Sequence, residues 1–218
     1  MNLFFNRTKT VCRVVLLFVG LALVLPSASL ARETPETTLA TVQQAIDSSD
    51  LPLFEQCVDI NSLLDQGSTA LVTKLQKSGN VDTSSLPPML ALMVASVQNP
   101  EMAKQIKHLL MQEVGTFARY GVSSGMFAGK HTQGATPKGL LAPLLGDAST
   151  GRKVLKVTGK SVRDASGVTV PVTIHDFGND RDYRVKLHLE PVSDSWRVTK
   201  VANMHELLSR LQKEAADQ

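Results

Sequence analysis

Apolar residues recur every three or four positions from Thr38 onward, which is the spacing of an amphipathic helix. Asp50 and Asp59 each stand directly before such a run, where a carboxylate side chain can cap the start of a helix. The pattern therefore predicts three consecutive helices, the second over Leu51–Val58 and the third starting at Ile60. Their apolar stripes consist of Leu39, Val42, Ala45, Ile46, Ile60, Leu63, Leu64, Leu71 and Leu75.

Two further helices are predicted in the next part of the chain. Met89–Val97 is apolar almost all round, so we expect this helix to be buried. The triplet Asn99-Pro100-Glu101 combines a cap, a proline at the first position and an acid in the first turn, and it predicts a helix that reaches Phe117. The glycines and small polar residues of Tyr120–Gly139 then predict a mobile loop, and Thr136–Leu145 is predicted to contain a short helix.

From Lys153 the apolar period shortens to two residues, which indicates strands. The predicted strands are Lys153–Arg163, Val168–Asp176, Asp182–Glu190 and Ser195–Val201. Short, turn-rich connections join them, so the sheet should be an antiparallel meander with one covered face and one largely wet face. We expect the basic stripe on the wet face to be solvated, with binding of an anionic partner as the alternative. This stripe consists of Arg184, Lys186, His188 and Arg197.

The central hairpin allows a prediction at the level of single residue pairs. Gly178-Asn179 suits a two-residue type II′ turn, because glycine accepts the positive φ of the first turn position. A turn at Asn179-Asp180 would keep the same residues on each face but shift every pair by two. The first turn sets four apolar pairs opposite each other: Ile174 with Tyr183, Val172 with Val185, Val170 with Leu187, and Val168 with Leu189.

Helices first and strands afterwards are typical of an α+β fold in which the helices pack on one face of the sheet. The helical half spans 38–146, the four-stranded antiparallel meander 153–201, and an amphipathic C-terminal helix 203–216. We therefore predict a single α+β domain over 38–218.

The first thirty-one residues follow a different pattern. Three basic residues and no acid flank the start of an unbroken apolar run, Val14–Leu25, and small residues lead up to Ala31. This order is that of a secretory signal peptide, and it predicts cleavage between Ala31 and Arg32. The apolar run is shorter than the roughly 20 residues of a membrane-spanning helix. We therefore expect a periplasmic or secreted protein with a short tether over 32–37 and no integral membrane segment after cleavage.

Removal of the signal peptide changes the charge of the chain. The full sequence has 23 basic and 20 acidic residues, and the signal peptide holds three of the basic ones. The mature chain is then neutral overall, so we expect no nucleic-acid partner. It keeps one cysteine, Cys57, whose apolar neighbours indicate a buried thiol.

Several stretches resemble known families. Ala45–Asp50 and Val58–Leu63, followed by Thr136–Leu141, are similar to segments of a family of small exported bacterial proteins of unknown function. Trp196–Val201 resembles the last strand of cone-shaped domains like nuclear transport factor two. These resemblances imply a cone-like α+β fold of the nuclear transport factor two or cystatin type, and they imply no catalytic residue.

The residue types that carry catalysis or bind metals do not converge in the sequence. There is no Gly-x-Ser-x-Gly motif, and the five histidines include no His-x-x-x-His pair. His175 and His188 lie on adjacent predicted strands, but the predicted register sets His188 opposite Thr169, roughly 20 Å along the strand from His175. We therefore predict no catalytic residue, no metal site and no cofactor.

Four residues are candidates for lining a ligand cavity between helices and sheet, namely Asp59, Phe117, Tyr183 and Trp196. Each also has a structural explanation, because Asp59 can cap a helix and the aromatic residues can fill the core. The expected function is a non-catalytic binding or interaction protein whose partner is a small molecule, a lipid or a periplasmic protein. The alternative is a cone-fold enzyme that uses a carboxylate such as Asp59, with a raised pKa, in an apolar cavity.

Overall fold

The computed structural model of the protein describes residues 33–77, 88–130 and 151–216. The helices are α1 Pro35–Ser48, α2 Leu51–Cys57, α3 Ile60–Lys77, α4 Pro88–Ser96, α5 Pro100–Ser123 and α6 Met204–Ala216, with a 3₁₀ helix at Met126–Ala128. The strands are β1 Lys153–Val157, β2 Val162–Arg163, β3 Val168–Asp176, β4 Arg181–Val192 and β5 Ser195–Val201. The predicted cleavage site between Ala31 and Arg32 and the predicted helix Thr136–Leu145 lie outside the described residues.

The strands form one antiparallel sheet in the order β1-β3-β4-β5, and β2 also pairs with β3. Helices α1, α2 and α3 pack their apolar side chains on one face of this sheet, against valines and leucines of β3, β4 and β5. The predicted α+β fold is confirmed, with the helical layer first and α6 at the end. We refer to the covered face as the inner face and to the opposite face as the outer face.

The first predicted strand, Lys153–Arg163, is wrong, because it is two strands. β1 ends opposite Val172 and β2 begins opposite Thr169. Between them the carbonyl of Pro171 accepts a hydrogen bond from the backbone N–H of Thr158 at 3.0 Å, but proline has no N–H to donate in return. The ladder loses a bond at this point, and the chain leaves strand geometry until β2.

The register of the β3–β4 hairpin is confirmed for all four predicted pairs, Ile174↔Tyr183, Val172↔Val185, Val170↔Leu187 and Val168↔Leu189. The predicted turn type is wrong. Asp180, and not Gly178, has a positive φ, at 52°, and the loop spans four residues between Asp176 and Arg181. The carboxylate of Asp176 accepts a hydrogen bond from the backbone N–H of Gly178 at 2.8 Å, which fixes this wider loop.

Helix α1 begins earlier than predicted. Thr34 is its N-cap and accepts a hydrogen bond from the backbone N–H of Thr37, and Pro35 takes the first position. The helix therefore starts three residues before Thr38 and includes part of the segment predicted to be a tether. The predicted cap of α2 is confirmed, since Asp50 accepts from the backbone N–H of Leu53 at 2.9 Å.

The predicted mobile loop Tyr120–Gly139 is wrong in its first part. Helix α5 continues to Ser123, and Val122 is only 1% exposed. A Cβ on Gly121 would come within 2.3 Å of the Phe127 ring, so glycine allows the 3₁₀ helix to fold back directly onto α5. Residues 131–139 lie outside the described residues.

Two further expectations need correction. Helix α4 is not buried all round, because Leu92 is 68% exposed. β4 runs past the predicted end at Glu190 to Val192, which leaves a two-residue turn, Ser193-Asp194, before β5. The positive φ of Ser193, 53°, accommodates this tight connection.

Amide side chains close two edges of the sheet. Gln43 of α1 donates to the carbonyl of Lys153 at 3.2 Å and accepts from the N–H of Leu155 at 2.7 Å. Gln66 of α3 donates to the carbonyl of Val201 at 3.0 Å and accepts from its N–H at 2.8 Å. Each amide makes the pair of bonds that a neighbouring strand would make, which protects the edge from pairing with another chain.

Candidate functional site

A cleft lies beside β4 at the point where β5 has ended. The last pair between these strands sets Val201 opposite Leu187. Beyond it, the side chain of Asn203 accepts from the N–H of Lys186 at 2.8 Å and donates to the carbonyl of Arg184 at 3.2 Å. Helix α6 follows directly and contacts β4. The outer face, the Asn203 side chain and α6 together bound a cleft of about 380 Å³.

Three exposed basic side chains border this cleft, Arg184 and Lys186 from β4 and Arg210 from α6. Arg184 and Lys186 are two residues apart on one strand, so both project from the outer face about 7 Å from each other. The guanidinium of Arg210 lies 5.3 Å from the ring centroid of Tyr183, which is a cation–π contact with a residue of the inner face. The basic groups therefore approach the cleft from two sides.

Among the described residues that line the cleft, one carboxylate accompanies three basic side chains. Glu206 is the acid that lines it, and its Oε2 accepts a hydrogen bond from Asn203 at 3.4 Å. Further along β4, Glu190 accepts from Thr199 at 3.0 Å and lies 3.3 Å from Lys200. The hydrogen bond from Thr199 is the main reason why the pKa of Glu190 is lowered. Glu190 is thus ionised but already engaged by groups outside the cleft.

The next residues across the sheet add further positive charge. The cross-strand row that contains Arg184 continues through Thr173 to Lys156, which is also exposed. Within the described residues, neither Arg184 nor Lys186 nor Lys156 has an ion-pair partner. The cleft therefore lies in a positively charged part of the surface.

The base of the cleft is apolar. The ring of Pro171 and the side chain of Leu207 are half-buried and face it, and the buried Val172 and Val185 lie beneath. Leu207 also packs on the hydrophobic core under the sheet. Thr158, from the segment between β1 and β2, forms part of the rim. The site combines a cationic rim with an apolar base, which is the usual composition of a small-molecule site.

The prediction that His188 belongs to the solvated outer stripe is wrong, because this residue is only 6% exposed. Its ring lies 3.1 Å from the hydroxyl of Thr169, as the predicted register requires, and 3.3 Å from the hydroxyl of Ser166. The carboxylate of Asp164 accepts from the hydroxyl and N–H of Ser166 and from the N–H of Gly167, which folds the β2–β3 turn over the ring. These bonds lower the pKa of Asp164.

Arg197 also leaves the predicted stripe. Its guanidinium donates to the carbonyl of Glu55 at the end of α2, at 2.8 Å. The Glu55 side chain is in turn 2.7 Å from Arg119 of α5. Arg197 therefore ties β5 to the helical layer, and the stripe that faces solvent is reduced to Arg184 and Lys186.

Asp59 caps α3, in agreement with its structural explanation. Its carboxylate accepts from the backbone N–H of Ser62 at 3.0 Å and from the Ser62 hydroxyl at 2.9 Å. The backbone hydrogen bond from Ser62 is the main cause of a lowered pKa of Asp59, and the side-chain bond and the nearby Arg197 add to it. The carboxylate is thus held in its ionised form.

The three aromatic candidates lie at separate places in the fold. Phe117 is buried and contacts Phe127 edge-to-face, with ring centroids 6.0 Å apart. Trp196 is part of the core, and its indole N–H donates to the carbonyl of Glu33 at 2.8 Å. Tyr183 is on the inner face next to Arg210. None of these residues, nor Asp59, lines the cleft beside β4.

Cys57 is buried, as predicted, and its burial raises the pKa of the thiol. A groove of about 920 Å³ runs along α3, but its Asp65 is already 2.7 Å from Lys107.

Within the part of the chain that the structure describes, no three His, Cys, Asp or Glu side chains converge as metal ligands would. No described helix has both the length and the apolar composition of a bilayer-spanning segment.

Sequence reasoning missed the contribution of α6. Asn203, Glu206 and Arg210 meet the outer stripe only because the chain turns back along β4 after β5. The one local signal was the position of Asn203 between the end of an apolar strand and an amphipathic helix.

Comparison of the chain with protein-family models, with curated proteins and with solved structures finds no match.

Proposed function

We propose that this chain is an exported, non-catalytic binding protein that holds an anionic ligand in the cleft between β4 and α6. One observation carries the proposal, which is the charge of the cleft. Arg184, Lys186 and Arg210 border it, against the single carboxylate of Glu206 among its described lining residues. Binding of an anionic partner was the alternative interpretation of the basic stripe on the outer face. Arg184 and Lys186 of that stripe border the cleft.

The physical basis is the strength of charge-assisted hydrogen bonds in a partly enclosed site. A hydrogen bond to a charged group contributes about 1.5–3 kcal/mol, and walls of low polarity concentrate the field of the cations in the cleft. Lys156 adds positive potential from the adjacent row. Salt screens such charges over about 10 Å at 0.1 M, so binding should weaken as the ionic strength rises.

The enzymatic alternative has less support. A general acid at neutral pH needs a carboxyl group with a raised pKa, and the hydrogen bonds from Ser62 lower the pKa of Asp59. Asp164 and Glu190 also have lowered pKa values, because they accept hydrogen bonds from neighbouring hydroxyl groups.

Export is the second part of the proposal. Its support is the order of basic, apolar and small residues that ends at Ala31. The intact mass of the protein recovered outside the cytoplasm tests it, and the expected N-terminus is Arg32. Recovery of the chain in a membrane fraction with Met1–Ala31 still attached would contradict export.

Native mass spectrometry of the mature protein, isolated from its own cells, tests the ligand. We expect a retained anionic species that is lost when Arg184 and Lys186 are both replaced by glutamate. A matched control replaces the exposed Lys77 and Lys160 by glutamate, which makes the same charge change outside the cleft and should keep the species. A retained species that is neutral, or that survives the Arg184→Glu, Lys186→Glu double substitution, would show that the proposal is wrong.

A further inference from the structure

We infer that the anion bound in this cleft carries an apolar chain, so that the ligand class is amphipathic anions such as alkyl phosphates. The inference rests on the proposed function and specifies its ligand. It follows from the arrangement of apolar and basic side chains around the cleft rather than from the charge alone.

Each wall of the cleft sets an apolar residue directly beside a basic one. On the sheet, Pro171 is the cross-strand partner of Lys186, and side chains of directly paired residues lie about 5 Å apart. On α6, Leu207 precedes Arg210 by three positions, a spacing that places two side chains next to each other on a helix surface. A ligand that covers Pro171 and Leu207 therefore has a basic side chain beside each of its two apolar contacts.

A bare anion would use only half of this site. It would neutralise the basic rim but leave the half-buried surfaces of Pro171 and Leu207 in contact with water. Covering apolar surface is favourable by roughly 25 cal/mol per Å², so a chain attached to the anion gains affinity that the anion alone cannot.

Glu206 limits the charge of the ligand. Its carboxylate is held by Asn203, whose side chain also bonds the edge of β4 at Arg184 and Lys186, so the carboxylate lies on the same side of the cleft as these two basic residues. A second negative group on the ligand would be repelled there, and the favoured ligand has a single compact head group.

The volume of the cleft sets the size of the ligand. A space of about 380 Å³ corresponds to about a dozen water molecules at roughly 30 Å³ each. Octyl phosphate has a similar number of non-hydrogen atoms and is a suitable probe.

Isothermal titration of the mature protein with inorganic phosphate, propyl phosphate, octyl phosphate and octanol tests the inference. We expect the affinity to rise with chain length, with octyl phosphate about a hundredfold tighter than inorganic phosphate. Lys186→Ala should weaken octyl phosphate about tenfold. The matched Lys160→Ala, at an exposed lysine outside the cleft, should leave its affinity within about twofold.

A cleft-filling variant separates the chain from the head group. Thr158→Trp places an indole over the apolar base from an exposed position on the rim. Octyl phosphate should then bind no tighter than inorganic phosphate, whose own affinity is kept. If Thr158→Trp does not fold, the chain-length series on the natural protein decides the question by itself.

The outcomes distinguish the inference from the proposed function. Equal binding of inorganic and octyl phosphate would overturn the amphipathic class and leave anion binding standing. Failure of every phosphate to bind, or octanol binding as tightly as octyl phosphate, would overturn both. A chain-length effect that Thr158→Trp leaves unchanged would also overturn the inference, because the chain would then lie outside this cleft.

Discussion

The inner and outer faces of the sheet are built from alternate residues of the same strands, but they are determined in different ways. On the inner face, Val172 and its partner Val185 are buried by helices that the local sequence itself specifies. On the outer face, neighbouring positions range from the exposed Lys186 to the buried His188. The alternation of residues along a strand determines which face a side chain is on. Whether a side chain on the outer face is buried depends on segments that are distant in sequence.

The inner face is largely apolar but contains a buried ion pair, and removal of one partner of this pair should have the largest effect on stability. Lys153 and Asp176 are both mostly buried and lie 2.5 Å apart, and desolvation lowers the pKa of Lys153. We expect Asp176→Ala to lower the free energy of unfolding by about 3–5 kcal/mol, because it leaves a buried charge without its partner. Urea denaturation measures the loss.

The exposed pair Glu101–Lys104, at 2.9 Å, is the matched control, and Glu101→Ala should cost about 1 kcal/mol or less. The double variant Lys153→Met, Asp176→Asn should recover a large part of the Asp176→Ala loss. Equal losses for Asp176→Ala and Glu101→Ala would mean that the inner face tolerates an unpaired charge.

Adjacent residues of β3 compare the two faces directly. Val172→Lys should lower the free energy of unfolding by about 2 kcal/mol or more, since it removes apolar burial and forces a charge into the core. Thr173→Lys should cost about 0.5–1 kcal/mol, mostly because Thr173 lies between Lys156 and Arg184. Thr173→Glu, which places an acid between the same two cations, should be neutral or stabilising. Equal effects of the two lysine substitutions in urea melts would mean that the faces are reversed.

The two histidines of the outer face sharpen the comparison further. His188→Ala should destabilise the fold by about 2 kcal/mol, because it leaves a gap under the β2–β3 turn and two hydroxyl groups without their partner. His175→Ala should lower the free energy of unfolding by only about 0.5 kcal/mol, because the His175 ring is paired with Asp182 at a more exposed position. Faster amide exchange at Ser166 and Gly167 in His188→Ala would locate the damage. Unchanged exchange there would show that the turn does not depend on the ring.

The smallest expected effect is on the decrease of folding stability at low pH. Asp164 and Glu190 on the outer side have lowered pKa values in the folded protein. Their stabilising contribution is present above the unfolded pKa of about 4 and is lost as the pH falls through the lower folded values. Asp164→Asn with Glu190→Gln should therefore flatten the decrease of stability between neutral pH and about pH 3. An unchanged decrease in urea melts would assign the acid sensitivity to other carboxylates.

The elements that local sequence specifies were predicted well. Asp50 and Asp59 cap their helices, because a cap needs only backbone groups two or three residues away. The hairpin register follows from four apolar pairs, since a shift by one residue would bring charged residues into the core. The break between β1 and β2 was not predicted, although it had a local signal, the missing N–H of Pro171 in the middle of the facing strand.

The rest depends on contacts between distant segments. Gly121 was read as part of a loop, but Phe127 packs against it and the helix continues. His188 was assigned to solvent, and the turn at Asp164 covers it. The cleft needs α6 to return along β4, and neither periodicity nor composition places a C-terminal helix against a particular strand edge.

The closure of the sheet edges by Gln43, Gln66 and Asn203 has a consequence for the lifetime of the protein. Each side-chain amide presents an N–H donor and a carbonyl acceptor to the strand edge in a single plane. Hydrolysis of the Asn203 amide to a carboxylate would replace the donor by an oxygen that faces the carbonyl of Arg184. Chemical ageing at this one residue would thus weaken the edge of β4 at the wall of the cleft, while every residue of the hydrophobic core stays unchanged.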